Sequence, residues 1–293
     1  MATYTTYTSV GQAEDVSSLI AMISPTATPF QSMVKNEKTA ARTFEWMEDA
    51  LRASADNKKV EGADASTITI APTTLRSNTC QIIAEAFAVS GTADAVKTHG
   101  RATETAFQLS KTLKVIKNDY ERAMVGISNA VAAGNASTAR EMASVSAMIS
   151  TTLDAGSNST DALTEAKLLT LHQTCYTNGS EPTVFMIKPA DATIIAGFAT
   201  ATGRNREIDA KQLTNVIDVI LTPFGELRTV INRQNLTTHG FLIDPSMFKT
   251  VSLRPFTRTL LAKNGDADTH NVVGEVSVKH SAFSDSGMIT GLS

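Results

Sequence analysis

The sequence predicts an α+β protein whose parts reach beyond a compact body. Three observations predict it. An apolar stripe at spacings of three and four runs from Ala102 to Ile127, the mark of one long amphipathic helix. Short alternating runs crowd the chain after Thr183, without the strand–helix rhythm of a doubly wound sheet. The polar stretch Ala53 to Asn78 is about twice the length at which structureless connections become uncommon in compact domains.

Taken in order, residues 1–35 read as an arm. Glu14 to Ile23 forms a short helix with Leu19, Ile20 and Ile23 on one side, and Pro25 stops it. Thr28-Pro29-Phe30 follows as an extended piece with one large apolar anchor. Thr43 to Glu48 alternates as a strand. A second strand-like run covers 79–90, with Ile83, Glu85, Phe87 and Val89 on one face and Ile82, Ala84, Ala86 and Ala88 on the other. Between the two, composition is compatible with disorder or with a long two-stranded arm that projects from the body. A lone hairpin is marginal in water, so the arm would be ordered only by resting on another chain.

The helix from Ala102 to Ile127 carries Ala106, Leu109, Leu113, Ile116, Tyr120, Met124 and Ile127 on its apolar stripe. Lys111, Lys114, Asn118, Glu121 and Arg122 fill the other side. At 1.5 Å per residue it would be about 39 Å long, against a diameter near 49 Å for a compact globule of this length. One helix therefore forms a spine across most of the molecule. Residues 135–160 are Ala/Ser/Thr/Asn-rich, a connector with one short helix around Arg140 to Ile149. Leu163 to Tyr176 is a further helix, closed by Asn178-Gly179 as a left-handed cap. Strands follow at Thr183 to Ile187, Val216 to Leu221 paired with Leu227 to Asn232, Phe241 to Ile243, Lys249 to Leu253 and Val272 to His280.

Composition excludes several function classes. The net charge is −3 and no Lys/Arg run exceeds two, which argues against a dedicated nucleic-acid binder. No apolar run approaches the ~18 residues of a membrane span, and Met1-Ala2-Thr3-Tyr4 lacks a signal peptide's basic start. Cys80 and Cys175 stand far apart and read as small buried hydrophobes in a reducing cytoplasm. No phosphate-cradling glycine motif and no GxSxG elbow is present, and the five histidines are scattered without metal-site spacing. Gly265-Asp266-Ala267-Asp268 reads as a polar turn, since further ligands at calcium-loop positions are missing. Lys111, Lys114 and Lys117 share their helix with Glu104, Asp119 and Glu121, and read as a solvated face. The sequence predicts no enzyme, no cofactor and no metal.

Several strings, in one order, carry a resemblance. They begin with Ile23-Ser24-Pro25-Thr26-Ala27-Thr28-Pro29-Phe30, then Glu45-Trp46, Glu61-Gly62-Ala63-Asp64-Ala65, Val89-Ser90-Gly91-Thr92 and Gly100-Arg101. Leu109-Ser110-Lys111-Thr112-Leu113-Lys114 and Gly179-Ser180-Glu181-Pro182 follow, with Leu253-Arg254-Pro255-Phe256 and Leu261 to Asp266 near the end. Together they resemble the SU10-like major capsid proteins of tailed bacteriophages; Ala267 to Ser293 follows that pattern only loosely. The resemblance implies the HK97-like capsid fold. In that fold residues 1–35 are the N-terminal arm, 36–90 the extended β-hairpin or E-loop, and 91–134 a peripheral domain with the spine helix. Residues 135–250 are then an axial domain with its connector, and 251–293 strands returning to the peripheral domain.

The resemblance also implies hexamers and pentamers closing an icosahedral head around double-stranded DNA, touched by non-specific contact. A portal, with scaffolding or decoration proteins, would complete the set of partners, with no membrane. The subunit would be made in the host bacterial cytoplasm and end in the virion. Candidate inter-subunit contacts are Phe30, Trp46 and Val60 as apolar anchors, with Trp46 equally able to cover its own subunit, and Lys58 and Lys59 at the hairpin tip. No motif marks an asparagine partner for those lysines, so no crosslink is predicted. Competing readings are an encapsulin-like nanocompartment shell of the same fold, a soluble enzyme with an unrecognised triad, and a fibre or tail component.

Overall fold

The computed structural model describes residues 27–292 apart from 63, 66, 68–69, 98–102, 157–160, 202–218 and 264. The predicted helix from Glu14 to Ile23 and the stop at Pro25 lie outside the described residues. Among the described residues, two sheets and a separate two-stranded ribbon are built from strands that are distant in sequence.

The chain enters through a short helix, α1 (Pro29–Met33), and a strand, β1 (Lys35–Lys38). The extended piece expected at Thr28 to Phe30 is thus a helical start. Proline is tolerated in the first turn, where its missing N–H has no helical partner. β2 (Thr43–Glu48) and β3 (Thr74–Thr79) pair antiparallel, Thr43 opposite Thr79 and Glu48 opposite Thr74. They form the root of a hairpin whose crest runs from residue 49 to 73.

The run read as a strand over 79–90 is almost entirely one strand beginning after Cys80, whereas β3 lies before it, in the stretch read as part of the polar connection. Residues up to Thr79 serve the hairpin, and β4 (Gln81–Ser90) leaves it to pair with β11 (Ala267–His280). β11 also pairs with β10 (Phe248–Leu260), and β10 pairs parallel with β1, completing a four-stranded sheet in the order β1-β10-β11-β4. Pro255 sits inside β10 without harm. β1 covers only Lys249 to Ser252, and the register shifts between Ser252 and Thr257 place the proline in an irregular stretch.

Gly274 lies opposite that irregularity, where Phe256 folds over the strand. A Cβ there would sit 2.5 Å from the Phe256 ring. We expect Gly274→Ala to destabilise the subunit by about 1–3 kcal/mol through overpacking, read as a lowered midpoint in chemical denaturation.

After the turn of helix α2 (Gly91–Ala95), the spine helix α3 (Glu104–Glu121) lies against β4. The Thr103 side chain caps it by accepting from Ala106 N–H at 3.3 Å. α3 has 18 residues, about 27 Å, and passes into a π-helical turn, Arg122–Gly126, before ending at Ile127. The helical run therefore spans nearly the whole stripe, with its last turn widened from α to π. The stripe is only half covered. Ile116, Tyr120 and Met124 are buried, whereas Ala106 is exposed and Leu113 keeps 45% of its surface. Glu121, read as part of the solvated side, is fully enclosed.

The second sheet has six strands in the order β5-β12-β9-β6-β8-β7. These are β5 (Thr151–Asp154), β6 (Val184–Ile187), β7 (Val219–Thr222), β8 (Gly225–Ile231), β9 (Gly240–Ile243) and β12 (Gly287–Thr290). β6 and β9 are buried at every position because the sheet is covered on both faces. Val184, Met186, Phe241 and Ile243 face one core with Met124, Met148, Phe248 and Val278. Phe185, Ile187 and Leu242 face the other, under Leu168 and Leu171. These two leucines belong to α5 (Glu165–Thr177), capped by Thr164 and ended by Asn178-Gly179, with Gly179 at φ 88° as the predicted cap requires.

The helix read around Arg140 to Ile149 is reduced to one turn, α4 (Val145–Met148). α6 (Pro189–Ala201) is a helix the sequence reading missed, since its mostly apolar residues show no polar face to set a period. Against the expectation for 251–293, β12 does not return to the spine's sheet. It lies between β5 and β9 in the six-stranded one.

Candidate assembly surfaces

The hairpin combines a fixed root with an uncovered crest. At the root, Asn78 is fully buried and its side chain bridges three segments. Its amide donates to Val278 O at 2.7 Å and Ala143 O at 3.3 Å, while its oxygen accepts from Ala143 N–H at 2.9 Å. Ser277 Oγ donates to Thr79 O at 3.0 Å, and Tyr120 OH donates to Ser277 O at 2.7 Å, so the spine helix, β11 and the hairpin share one hydrogen-bonded seam. Across the ribbon, Arg76 Nε donates to Glu48 Oε2 at 2.7 Å, and Glu48 Oε1 accepts from Phe283 N–H at 3.0 Å. These partners are satisfied because buried polar groups left unpaired are costly.

The crest is the opposite. Every described residue from Asp49 to Leu75 is exposed. Among them Leu51 keeps 99% of its surface, Val60 81% and Ile70 85%. Lys58 pairs with Asp56 at 2.7 Å, with both side chains in water, and Gly62 turns the chain at φ 78°. A scattered exposed apolar residue means little, but several on one projection form a surface that a partner can cover.

A second open surface runs along the spine. Leu113, Ile116, Lys117 and Tyr120 wall one side of a groove of about 340 Å³, with Val251, Pro255 and Phe256 opposite. Leu113 is the exposed large side chain of the helix's apolar stripe.

At the end of α3, Glu121 ties together the arm, the spine and the six-stranded sheet. Its carboxylate accepts from Phe30 N–H at 2.8 Å, from Gln31 N–H at 3.0 Å and from the Asn232 side chain at 2.8 Å. It thereby satisfies the first amides of α1, which Thr28 does not cap. Burial nevertheless pushes the Glu121 carboxyl above the usual range, and the donated hydrogen bonds only partly oppose this. At the sheet edge Glu37 shows the reverse. A hydrogen bond from Lys249 holds it below the ordinary value, helped by Lys279 and opposed by burial.

The five candidate contacts divide. Phe30 is fully enclosed in its own core against Phe248, and Trp46 is buried beside Phe44 and Phe283. Their apolar surface is consumed inside the chain, because α1 and the hairpin root fold back on the body. Lys58, Lys59 and Val60 all stand exposed on the crest. Sequence reasoning missed Glu48, Arg76, Asn78, Glu121 and Phe283, whose roles depend on segments up to about 240 residues apart, with no local signal. Cys80 and Cys175 are buried and unbridged. Among the described residues no His/Cys/Asp/Glu group is placed to hold a metal ion, and no helix is long and apolar enough to cross a membrane. Lys111, Lys114 and Lys117 are exposed, and Asp268 pairs with Lys263 at 3.2 Å.

Comparison with known proteins points one way. A family model described as SU10 major capsid protein matches residues 2–293. The chain is similar to the major capsid protein of Escherichia phage Phieco32, with 28% identity covering 94% of this chain and 93% of that one. Among solved structures it resembles the capsid of Cyanophage A-1(L), at 12% identity with a TM-score of 0.69 and 98% of both chains covered. It also resembles an encapsulin complex from Synechococcus elongatus PCC 7942, at 11% identity and a TM-score of 0.61, covering 96% of this chain and 92% of that one. At these identities the structural likenesses speak for the fold.

Proposed function

This chain belongs to the SU10 major capsid protein family, and on that premise we propose that its copies form hexamers and pentamers that close into an icosahedral head around double-stranded DNA. Its fold is the HK97-like capsid fold and its function that of a tailed-phage major capsid protein. The family is a structural one, and the proposal extends this to a subunit without catalytic activity. Its partners would be further copies of itself, a portal, scaffolding or decoration proteins, and DNA through non-specific contact. The site of synthesis would be the host bacterial cytoplasm.

One observation carries the mechanism: a hairpin fixed by buried hydrogen bonds at its root holds apolar side chains in water along its crest. Covering that crest, and the open groove beside Leu113, stabilises contacts between chains rather than within one. Interfaces of roughly 1,200–2,000 Å² suffice for specific association, and a shell subunit makes several. Lys58, Lys59 and Val60 are the crest residues assigned to neighbours in this reading.

Expression of the chain is expected to give closed particles of uniform diameter in electron micrographs. Charging the crest with Val60→Asp and Ile70→Asp together should leave the subunit folded and move it to small species in size-exclusion chromatography. A monodisperse wild-type monomer would sink the proposal. A nanocompartment shell of the same fold is the alternative; nuclease-protected double-stranded DNA inside particles from producing cells favours the head, and a protein cargo without DNA favours the compartment.

A further inference from the structure

A column of rings crosses the subunit from α1 to the hairpin root. Phe30 meets Phe248 edge-on at 5.6 Å, and Phe248 stacks on His280 at 4.1 Å with the rings 4° from parallel. His280 lies over Phe283 at 5.8 Å and 12°, and Phe283 stands 6.3 Å from Trp46 of β2. His280 is fully enclosed. Its Nδ1 is 3.3 Å from Met148 O and its Nε2 3.2 Å from Ser286 Oγ. A carbonyl only accepts, so Nδ1 carries the proton and Nε2 accepts from the serine hydroxyl. The neutral ring satisfies both partners. A second proton would turn Nε2 into a donor, force the hydroxyl to reverse and bury a charge away from water. The attraction of the two ring faces offsets that cost only in part.

The hairpin grips the turn that follows His280. Phe283 N–H donates to Glu48 and its carbonyl accepts from Ser150 N–H and Oγ, both at 2.9 Å, while the Arg76 guanidinium lies 4.3 Å over the Phe283 ring. The turn 281–286 is therefore held by the ring column on one side and by both hairpin strands on the other.

We propose that this column is an acid-sensitive clasp: with His280 neutral it seats the hairpin root on the turn 281–286 and fixes the hairpin's direction, and protonation of His280 loosens the turn and frees the hairpin to swing. Among the charged groups on the elements packed around it are Glu48 of β2, Arg76 of β3, Lys249 of β10, Lys279 beside it on β11 and paired with Glu37 of β1, and Asp285 in the turn. α1 and α4 contribute no charge. Burial pushes the His280 ring down to about 4, against the pull of Glu48 and of the Met148 carbonyl. A folded value below the unfolded one means the stability is complete above the unfolded value near 6.5 and is lost as pH falls toward 4. The clasp does not depend on the assembly reading; only its consequence, a shell that loosens in acid, rests on it.

Hydrogen exchange of the full chain, corrected for intrinsic rate, tests this between about pH 7.5 and about pH 4. In the wild type, exchange in β2 and β3 should rise roughly tenfold across that range while β6 stays protected. His280→Phe keeps the column without a titrating ring, and should hold the rise below about twofold. His280→Gln serves where the phenylalanine variant does not fold. Glu48→Gln removes the neighbouring carboxylate's upward pull on the ring, and should keep the acid transition but move it to lower pH. Equal acid opening in wild type and both His280 variants, or opening of β6 together with the hairpin, would overturn the clasp. Absence of particles at neutral pH would count against the assembly reading and leave this result unaffected.

Discussion

Glu121→Ala is expected to cost the subunit a large share of its stability. Two buried donors, Phe30 N–H and the Asn232 amide, and the part-buried Gln31 N–H would lose their acceptor at once. A buried donor left unpaired costs about 1–3 kcal/mol, so the loss is roughly 3–6 kcal/mol even with partial coupling among neighbours. Against a total of about 5–15 kcal/mol, much of the chain would be insoluble or unfolded, which soluble yield and the urea midpoint measure. Glu121→Gln should be milder, about 1–3 kcal/mol, because its one oxygen still accepts and only one donor meets an amide. The two variants also separate charge from shape. Burial raises the Glu121 value in the fold. Its contribution is therefore fully present below the ordinary carboxylate range and lost as pH rises through the folded value. The glutamine variant should lack that slope, and a midpoint with wild-type pH dependence in the glutamine variant would refute the assignment.

Cutting the crest away should do the reverse, sparing the fold and abolishing the shell. Replacement of residues 52–72 by a short Gly/Ser turn removes side chains that are exposed wherever they are described. The root is kept, with Asn78, Glu48 and Arg76 still seated on β11 and the turn 281–286. A shorter loop closes at slightly lower entropic cost, about 1 kcal/mol or less in favour of the fold. The thermal midpoint should therefore stay within a few degrees of wild type. Particles should be absent from electron micrographs, with the protein eluting as single subunits or small rings. Closed shells of normal diameter from this variant would show that the hairpin does not hold neighbours together.

What the sequence displays, and what it hides, follows from the range of the interactions. The spine helix and the long strands β4 and β11 are legible because each repeats a period over many residues. β6, β9 and the β7–β8 hairpin are legible from short apolar runs between turn residues. β3 and the break at Cys80 are not, since Thr74 to Asn78 belongs to a polar stretch without a period, and only the pairing of Gln81 to Ser90 with β11 separates β3 from the strand that follows. Phe30 and Trp46 look like surface anchors because nothing near them in sequence covers them; Phe248 and Phe283 do, from more than 200 positions away. Glu121 reads as a solvated residue on a charged helix face, and only the return of α1 encloses it. The crest residues Lys58, Lys59 and Val60 were nameable because that stretch alternates no period and holds few large apolar side chains.

The placement of β11 and β12 also governs when the molecule can exist during synthesis. Each is an interior strand, β11 between β10 and β4, and β12 between β5 and β9. Neither sheet can close until the ribosome has released residues 267–290, and β1 must wait more than 200 residues for its partner on β10. Such late, long-range pairing folds slowly and leaves strand edges open in the meantime. It also acts as a length check: a chain that stops short of residue 267 lacks the strand that joins β10 to β4 and the strand that joins β5 to β9, so a prematurely terminated product completes neither sheet.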